Sequence, residues 1–422
     1  MIDSQDISEQ ELEVLKGDTV GGNNLCSSKW LINTLMSLCQ VHENGWTKEL
    51  ESQLCILWDL SMEEEVVSYL ISYDFLKIAK KTLVASDEPR LIEIILGIIG
   101  NICCNKEAID TIACDQELVT QILRHLASED SLILIQLLRI LQLIVCKIWQ
   151  NPESDWIVHF TECEFLGDSI TFMLMSSTNN DLLLAAMNFL ESVSKISLPH
   201  ENSFLKKLFK IDNLIPALLE SFMQVISTEK DGYSEVELTF IRHWLIVLIV
   251  IIESNSLKFE DYENDENFLK LMEIMYRILE PYKKSYNLYP MQRSSIDIIT
   301  NTLRILLSFH CCDVNIPPKI DHIIGTLIIT LETGMSSSKK YDLEAEEQIP
   351  PSFLDFMIKY WLQINKLCTS EQIVEILCLC TSEVSQCLMI LIQNDSKTTL
   401  EMHEKVENCR LLLENLLKKN NM

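Results

Sequence analysis

Glycine and proline are scarce, with 10 of each in 422 residues. An all-β chain of this length needs many more of both to turn its strands, so helices joined by tight corners are predicted. Positive charge is scarce as well: 34 Lys and Arg face 62 Asp and Glu, a net charge of −28. Nucleic acid and anionic membrane surfaces are bound through Lys and Arg contacts to phosphate, so neither is an expected partner. The longest uncharged apolar stretch, WLIVLIVII at 244–252, falls short of the roughly 20 residues that span a bilayer. The opening MIDSQDISEQ is polar and acidic, unlike a signal or transit peptide. These absences together point to a soluble intracellular protein.

Metal and catalytic patterns are also missing. The 15 cysteines include adjacent pairs at Cys103–Cys104 and Cys311–Cys312 but no C-x-x-C pair. Scattered in apolar surroundings, they read as small core residues of a reducing compartment and not as a disulfide framework. His310-Cys311-Cys312-Asp313 has the residue types of a metal cluster. Neighbours on a helix point about 100° apart, however, and cannot converge on one ion unaided. Cys378, Cys380 and Cys387 fail for a similar reason, so no metal and no cofactor are expected. No G-x-G-x-x-G, G-x-x-x-x-G-K-[ST], H-E-x-x-H or G-x-S-x-G occurs, and no catalytic residue can be named. The acidic strings FEDYENDENF (259–268) and YDLEAEEQ (341–348) lack the ligand spacing and glycine of an EF-hand loop. They are expected as acidic inter-repeat loops near 259–268 and 335–350.

What the sequence does contain is a recurring helix. Long apolar segments with helical periodicity begin at residues 50, 90, 131, 180, 234, 293, 351 and 400. Their spacing starts near the roughly 40–47 residues of HEAT and armadillo units and lengthens later, as insertions would make it do. After residue 105 the order is KEAIDTIACD, QELVTQILRHLAS, the corner SED, then a long helix. Short, medium, corner, long is the order of an armadillo repeat. The expected fold is an all-α, right-handed α-solenoid of six or seven armadillo/HEAT-like repeats over 27–420, behind a disordered acidic tail at 1–25.

The stretch LIEIILGIIGNICCN (91–105) places Gly97, Gly100 and Asn101 in a strongly apolar helix. Glycine costs about 1 kcal/mol against alanine there, and an amide among isoleucines must find partners. A phosphate loop would need backbone N–H groups freed beside basic residues, whereas these glycines sit mid-helix. Gly97 and Gly100 are therefore expected in inter-repeat packing, where a small residue admits a neighbouring helix. Asn101 is expected to bond the neighbouring repeat's backbone. In Trp58-Asp59-Leu60-Ser61-Met62-Glu63-Glu64, Ser61 and Glu64 read as a capping box. A compatible second reading sets Trp58, Asp59, Arg90 and Asn101 in a partner groove lined by the long helices.

SSKWLINTL (27–35), CILWDLSMEEEV (55–66) and EPRLIEIILGIIGNICC (88–104) resemble, in order, three segments of the serum amyloid A-like protein family. The corner TFMLMSSTNNDLLL (171–184) is similar to another. That resemblance implies a helical-repeat interaction protein, nuclear and linked to cell proliferation, with no catalytic activity and no transferable binding residues. The expected function is a non-catalytic protein–protein interaction scaffold. An enzyme or a peptide-transport receptor on a helical array is the alternative. Importin-like grooves repeat a Trp four residues before the Asn; here that position is Gly97, which speaks against the receptor. The net charge of −28 favours protein partners with basic segments.

Overall fold

The computed structural model describes residues 19–20, 26–197, 203–227, 232–254, 265–288, 291–312, 314–338, 350–394 and 404–413. Most of the expected tail, 1–18 and 21–25, lies outside the described residues, as do 259–264 and 339–349 of the expected loops. Residues 335–338 of the second loop are helical, and Asp265 of the first caps a helix. Apart from one short pairing of Thr19–Val20 with Cys26–Ser27, the described elements are helical. The chain divides into two compact units between Lys210 and Ile211.

The first unit contains α1 (Ser28–Cys39), α2 (Lys48–Leu60), α3 (Glu64–Ser72), α4 (Phe75–Ala85) and α5 (Pro89–Ile102). It continues with α6 (Lys106–Ala113), α7 (Gln116–Arg124), α8 (Ser131–Gln150), α9 (Trp156–Glu162), α10 (Leu166–Ser176) and α11 (Asn180–Ser194). The short, medium, long order holds for α3–α4–α5, α6–α7–α8 and α9–α10–α11. Helices α2, α5, α8 and α11 stack as one layer; α1, α4 and α7 stack as the other, which α10 joins through the turn His125–Ala127 after α7. This layered repetition makes an all-α solenoid.

Local chemistry sets the corners. Pro89 occupies the first turn of α5, where its missing N–H costs nothing. Asn105, Asp115, Asp130 and Asn179 accept hydrogen bonds from the free N–H groups opening α6, α7, α8 and α11. Every residue of α5 from Leu91 to Ile102 is buried, because α2 and α8 flank it and α4 lies beneath. Helix α8 is long and apolar enough to cross a membrane by length and composition alone, although half of that window is buried inside the fold.

The second unit contains α12 (Ile211–Val225), α13 (Glu235–Glu253), α14 (Glu266–Leu279), α15 (Arg293–His310), α16 (Pro318–Ser338), α17 (Pro351–Leu367), α18 (Ser370–Leu379) and α19 (Ser382–Asn394). Its layers are α12, α14, α16, α18 and α13, α15, α17. From α14 onward the long helices alternate in pairs, so the wider spacing seen there includes a whole helix, α16, and not only a loop.

Buried tryptophans tie helix to helix. Trp156 Nε1 donates to the Ile109 carbonyl at 3.1 Å, Trp244 Nε1 to Leu218 at 2.8 Å, and Trp361 Nε1 to Leu388 at 3.2 Å. Each indole fills the core while its polar edge satisfies a helix carbonyl. Trp244→Phe keeps most of the apolar volume but leaves the Leu218 carbonyl without this donor. The Ser221 hydroxyl still donates to that carbonyl, so the lost bond is expected to cost about 0.5–1.5 kcal/mol, read as a lower urea midpoint with an unchanged slope.

Candidate functional site

The α2–α5–α8–α11 layer holds the residues singled out from sequence, at the contacts that α5 makes with α2 and α8. Helix α5 is notched there. A Cβ at Gly97 would lie 2.2 Å from Cε2 of Trp58, so the Trp58 ring rests directly on the α5 backbone. A Cβ at Gly100 would meet Arg139 and Ile140 at 3.5 Å, an ordinary contact. One glycine thus receives a ring from α2, and the other lies under a guanidinium from α8.

Asn101 joins the same two neighbours. Its Nδ2 donates to the Trp58 carbonyl at 2.9 Å and to the Ser61 hydroxyl at 2.9 Å, and its Oδ1 accepts from the Arg139 guanidinium. The amide is 5% exposed, and these partners replace the water it has lost. The expected backbone bond to a neighbouring repeat is present. The expected capping box is not. Ser61 ends α2 and donates to the Trp58 carbonyl at 2.6 Å, while α3 begins after Glu63 with no side-chain cap. A fully buried hydroxyl does more for the buried amide of Asn101 than for a helix end already open to water.

Arg90 bridges α5 to α2. Its Nε donates to Glu51 at 3.1 Å, its Nη1 to Glu93 at 2.7 Å and its Nη2 to the Cys55 sulfur at 3.4 Å. The hydrogen bond to buried Glu93 is the main reason the guanidinium is held even more firmly charged than usual; partial burial opposes it and Glu51 adds to it. Asp59 is exposed at the end of α2. Trp58 and Asn101 are therefore brought together as packing and hydrogen-bonding groups, Arg90 meets Glu51, Glu93 and Cys55 at the other end of α5 and does not join them, and Asp59 is the one of the four that is exposed.

Among the described residues the outward side of this layer carries Leu132, Gln136, Leu143 and Cys146 of α8, with Trp149 exposed near the end of that helix, and Leu184, Asn188 and Ser192 of α11. It carries little of the protein's acidity. Helices α2, α5, α8, α11, α13, α15 and α17 together hold 9 Lys or Arg and 11 Asp or Glu, a difference of −2 against −28 for the chain.

No protein-family profile matches the chain. Among curated proteins it is 30% identical to Protein SAAL1 of Homo sapiens over 245 residues, covering 51% of this chain and 50% of that one. It is 28% identical to Protein SAAL1 of Mus musculus over 256 residues, 53% of each. The Danio rerio protein is 27% identical over 243 residues, 53% of this chain and 51% of that one. The chain resembles the SAAL1 proteins. It spans about half the length of the curated relatives it matches, and this likeness supports the serum amyloid A-like resemblance carried by residues 27–105. An engineered protein of solved structure aligns over 90% of this chain and 99% of its own at 12% identity, with a TM-score of 0.34, too low to bear on the fold.

One buried cluster in the second unit was not foreseen. His310 turns inward: Nε2 lies 3.2 Å from Asp321 Oδ2 and Nδ1 3.4 Å from the Cys368 sulfur. The Tyr360 hydroxyl donates to Asp321 Oδ1 at 2.7 Å. Cys311 and Cys312 are exposed, and Asp313 lies outside the described residues. The imidazole bridges its two neighbours through opposite nitrogens, so the cluster pins α15, α16 and α17 together and presents no shared point to an ion. Burial lowers the His310 pKa, but hydrogen bonds and charge from Asp321 and Cys368 outweigh it, pushing it up to about 9. Burial also pushes the Tyr360 phenol up. Another pair, His322 Nδ1 and the Cys380 sulfur, meets at 3.3 Å.

Two outcomes follow. Gly97→Ala is expected to cost about 1–3 kcal/mol by displacing the Trp58 ring, whereas Gly100→Ala is expected to be neutral or slightly stabilising. In a Trp58→Ala background the Gly97→Ala penalty should vanish, a coupling that a double-mutant cycle of denaturation midpoints measures directly. The second concerns pH. The folded His310 value of about 9 lies above the ordinary 6.5, so the protonated form stabilises the fold. That contribution is full below about pH 6.5 and is lost as pH rises through 9. A loss of roughly 3 kcal/mol is expected over this window, and Asp321→Asn should flatten it; equal slopes for both proteins would refute the pairing.

Proposed function

We propose that the protein is a non-catalytic interaction scaffold, an armadillo-like array whose uncovered long-helix face takes up a segment of a protein partner. The observation that carries this reading is the organisation of that face. Glu51, Arg90 and Glu93, and Trp58, Asn101 and Arg139, are bonded across α2, α5 and α8 before any partner arrives, so little side-chain ordering is left for binding. Beyond them the face is broad, nearly uncharged and partly apolar, with Trp149 at 66% exposure as its largest anchor. Repeat arrays use surfaces of this kind for extended or helical segments.

Basic stretches of the partner would speed encounter with a chain of net charge −28, while apolar side chains would seat on the layer itself. A place in the nucleus and a link to cell proliferation come with the serum amyloid A-like resemblance and are part of the proposal.

Affinity purification at low and high salt, with wild type and Asp59→Ala/Trp149→Ala, tests it. Both residues are exposed, so the variant should keep its melting temperature. Captured proteins are expected to fall several-fold with the variant and further at high salt. Equal recovery of the same proteins in all arms would sink the proposal, as would turnover in a substrate screen that survives this variant.

A further inference from the structure

The outer side of the first unit carries a second surface, away from the long-helix face. Helix α10 buries Leu166, Ile170, Met173 and Leu174 and turns Phe172 and Met175 outward. Phe172 is 70% exposed, Met175 45%, and Phe165 just before the helix 44%. Positions 165, 172 and 175 fall on one helical face, spaced by seven and three residues. A soluble protein scatters exposed apolar side chains singly; a stripe of three on one helix marks an interaction surface.

Beside this stripe lies a groove of about 660 Å³, where the corners leading into α8 and α11 meet α10. Its floor is Leu126, Leu134, Met173 and Leu182, its wall is Phe172, and Glu129 and Asp168 stand at its rim. The lining holds these two carboxylates and no Lys or Arg. Asp168 does meet Lys210, at 3.3 Å, but both side chains are exposed and such a pair contributes little. Two cavities of the second unit mix signs, one combining Lys319 with Glu375 and another Arg293 with Asp297, while a third holds the single carboxylate Glu235. A trough with an apolar floor, serines along its sides and a rim of a single sign has a defined complement.

We infer that this groove is a docking site for a basic amphipathic helix of a partner protein, with apolar residues at i, i+3 or i+4, and i+7 on the trough and Lys or Arg beside Glu129 and Asp168. Helix-in-groove binding reads that spacing because the anchors share one face of the incoming helix. Charge selects the occupant: an acidic or neutral helix would desolvate Glu129 with no cation beside it and leave Asp168 only its exposed pair with Lys210. An incoming cation would take over Asp168 from Lys210 at small cost.

The probe is a random library of 16-residue peptides displayed on phage, selected on the full chain, with the enriched peptides then synthesised and titrated by fluorescence anisotropy. A chain of net charge −28 attracts many basic peptides, so the apolar register and the groove variants decide the outcome. Enriched peptides are expected to be basic and amphipathic, and to bind at least tenfold more weakly to Phe172→Ala. Glu129→Gln/Asp168→Asn should weaken them about threefold at low salt and hardly at all at high salt. Scrambling the apolar positions at constant charge should abolish the Phe172 dependence. The inference is overturned if enriched peptides lack this pattern, or if Phe172→Ala binds them as wild type does. It is also overturned if sedimentation shows self-association that Phe172→Ala removes, which would make a second copy the occupant. Because Phe172 is largely exposed, the variant should fold, and the carboxylate variant gives an independent reading.

Discussion

The amide of Asn101 has to be satisfied between Ile98, Ile99, Gly100, Ile102 and Cys103, and the packing around α5 does it. Water cannot reach the group, and an unpaired buried amide would cost about 1–3 kcal/mol. The partners come from both sides: the end of α2 supplies a carbonyl and a hydroxyl, and α8 supplies a guanidinium. The Trp58 ring rests against α5 at Gly97, which requires the absence of a side chain there. The spacing of three helices thus rests on one polar side chain and one missing methyl group. Apolar burial supplies most of the stability, but it is non-directional. The Asn101 node sets which residues of α2 and α8 face each other across α5.

The second unit solves a similar problem with charge. The imidazole of His310 sits between a carboxylate on α16 and the Cys368 thiol just past the end of α17, and Tyr360 adds a donor to the same carboxylate. Buried charges are tolerated when every lone pair and proton has a partner. An assembly of this kind holds helices in one register but, unlike an amide, is sensitive to proton concentration. The two units therefore differ in what could loosen them.

Charge is also distributed unevenly over the surface. The helices of the long-helix layers come close to neutrality, and the excess carboxylates lie elsewhere in the chain, many of them outside the described residues. A neutral, prearranged face suits close contact, since few charges need to be desolvated there. Acidic outer surfaces suit long-range attraction and solubility. The groove beside Phe172 combines both features within one small area.

Much of this was legible in the residues alone. Periodicity of 3.6, capping residues such as Asn105 and Asp130, and the first-turn Pro89 are local signals, because each is set by atoms within one or two turns. The anomaly of Gly97, Gly100 and Asn101 was equally visible, and it correctly announced a close approach and a bonded amide. The sequence could not say that Trp58 fills the notch at 97, or that Ser61 turns to Asn101 instead of capping α3, since those partners lie about 40 residues away. His310, Asp321 and Cys368 were hidden for the same reason: the Cys368 thiol is 58 positions from the imidazole that it meets. Helix propensity and patterning are properties of neighbours along the chain. Which face is covered, which polar group is rescued and which apolar stripe is left bare depend on how layers stack, and only the tertiary structure decides that.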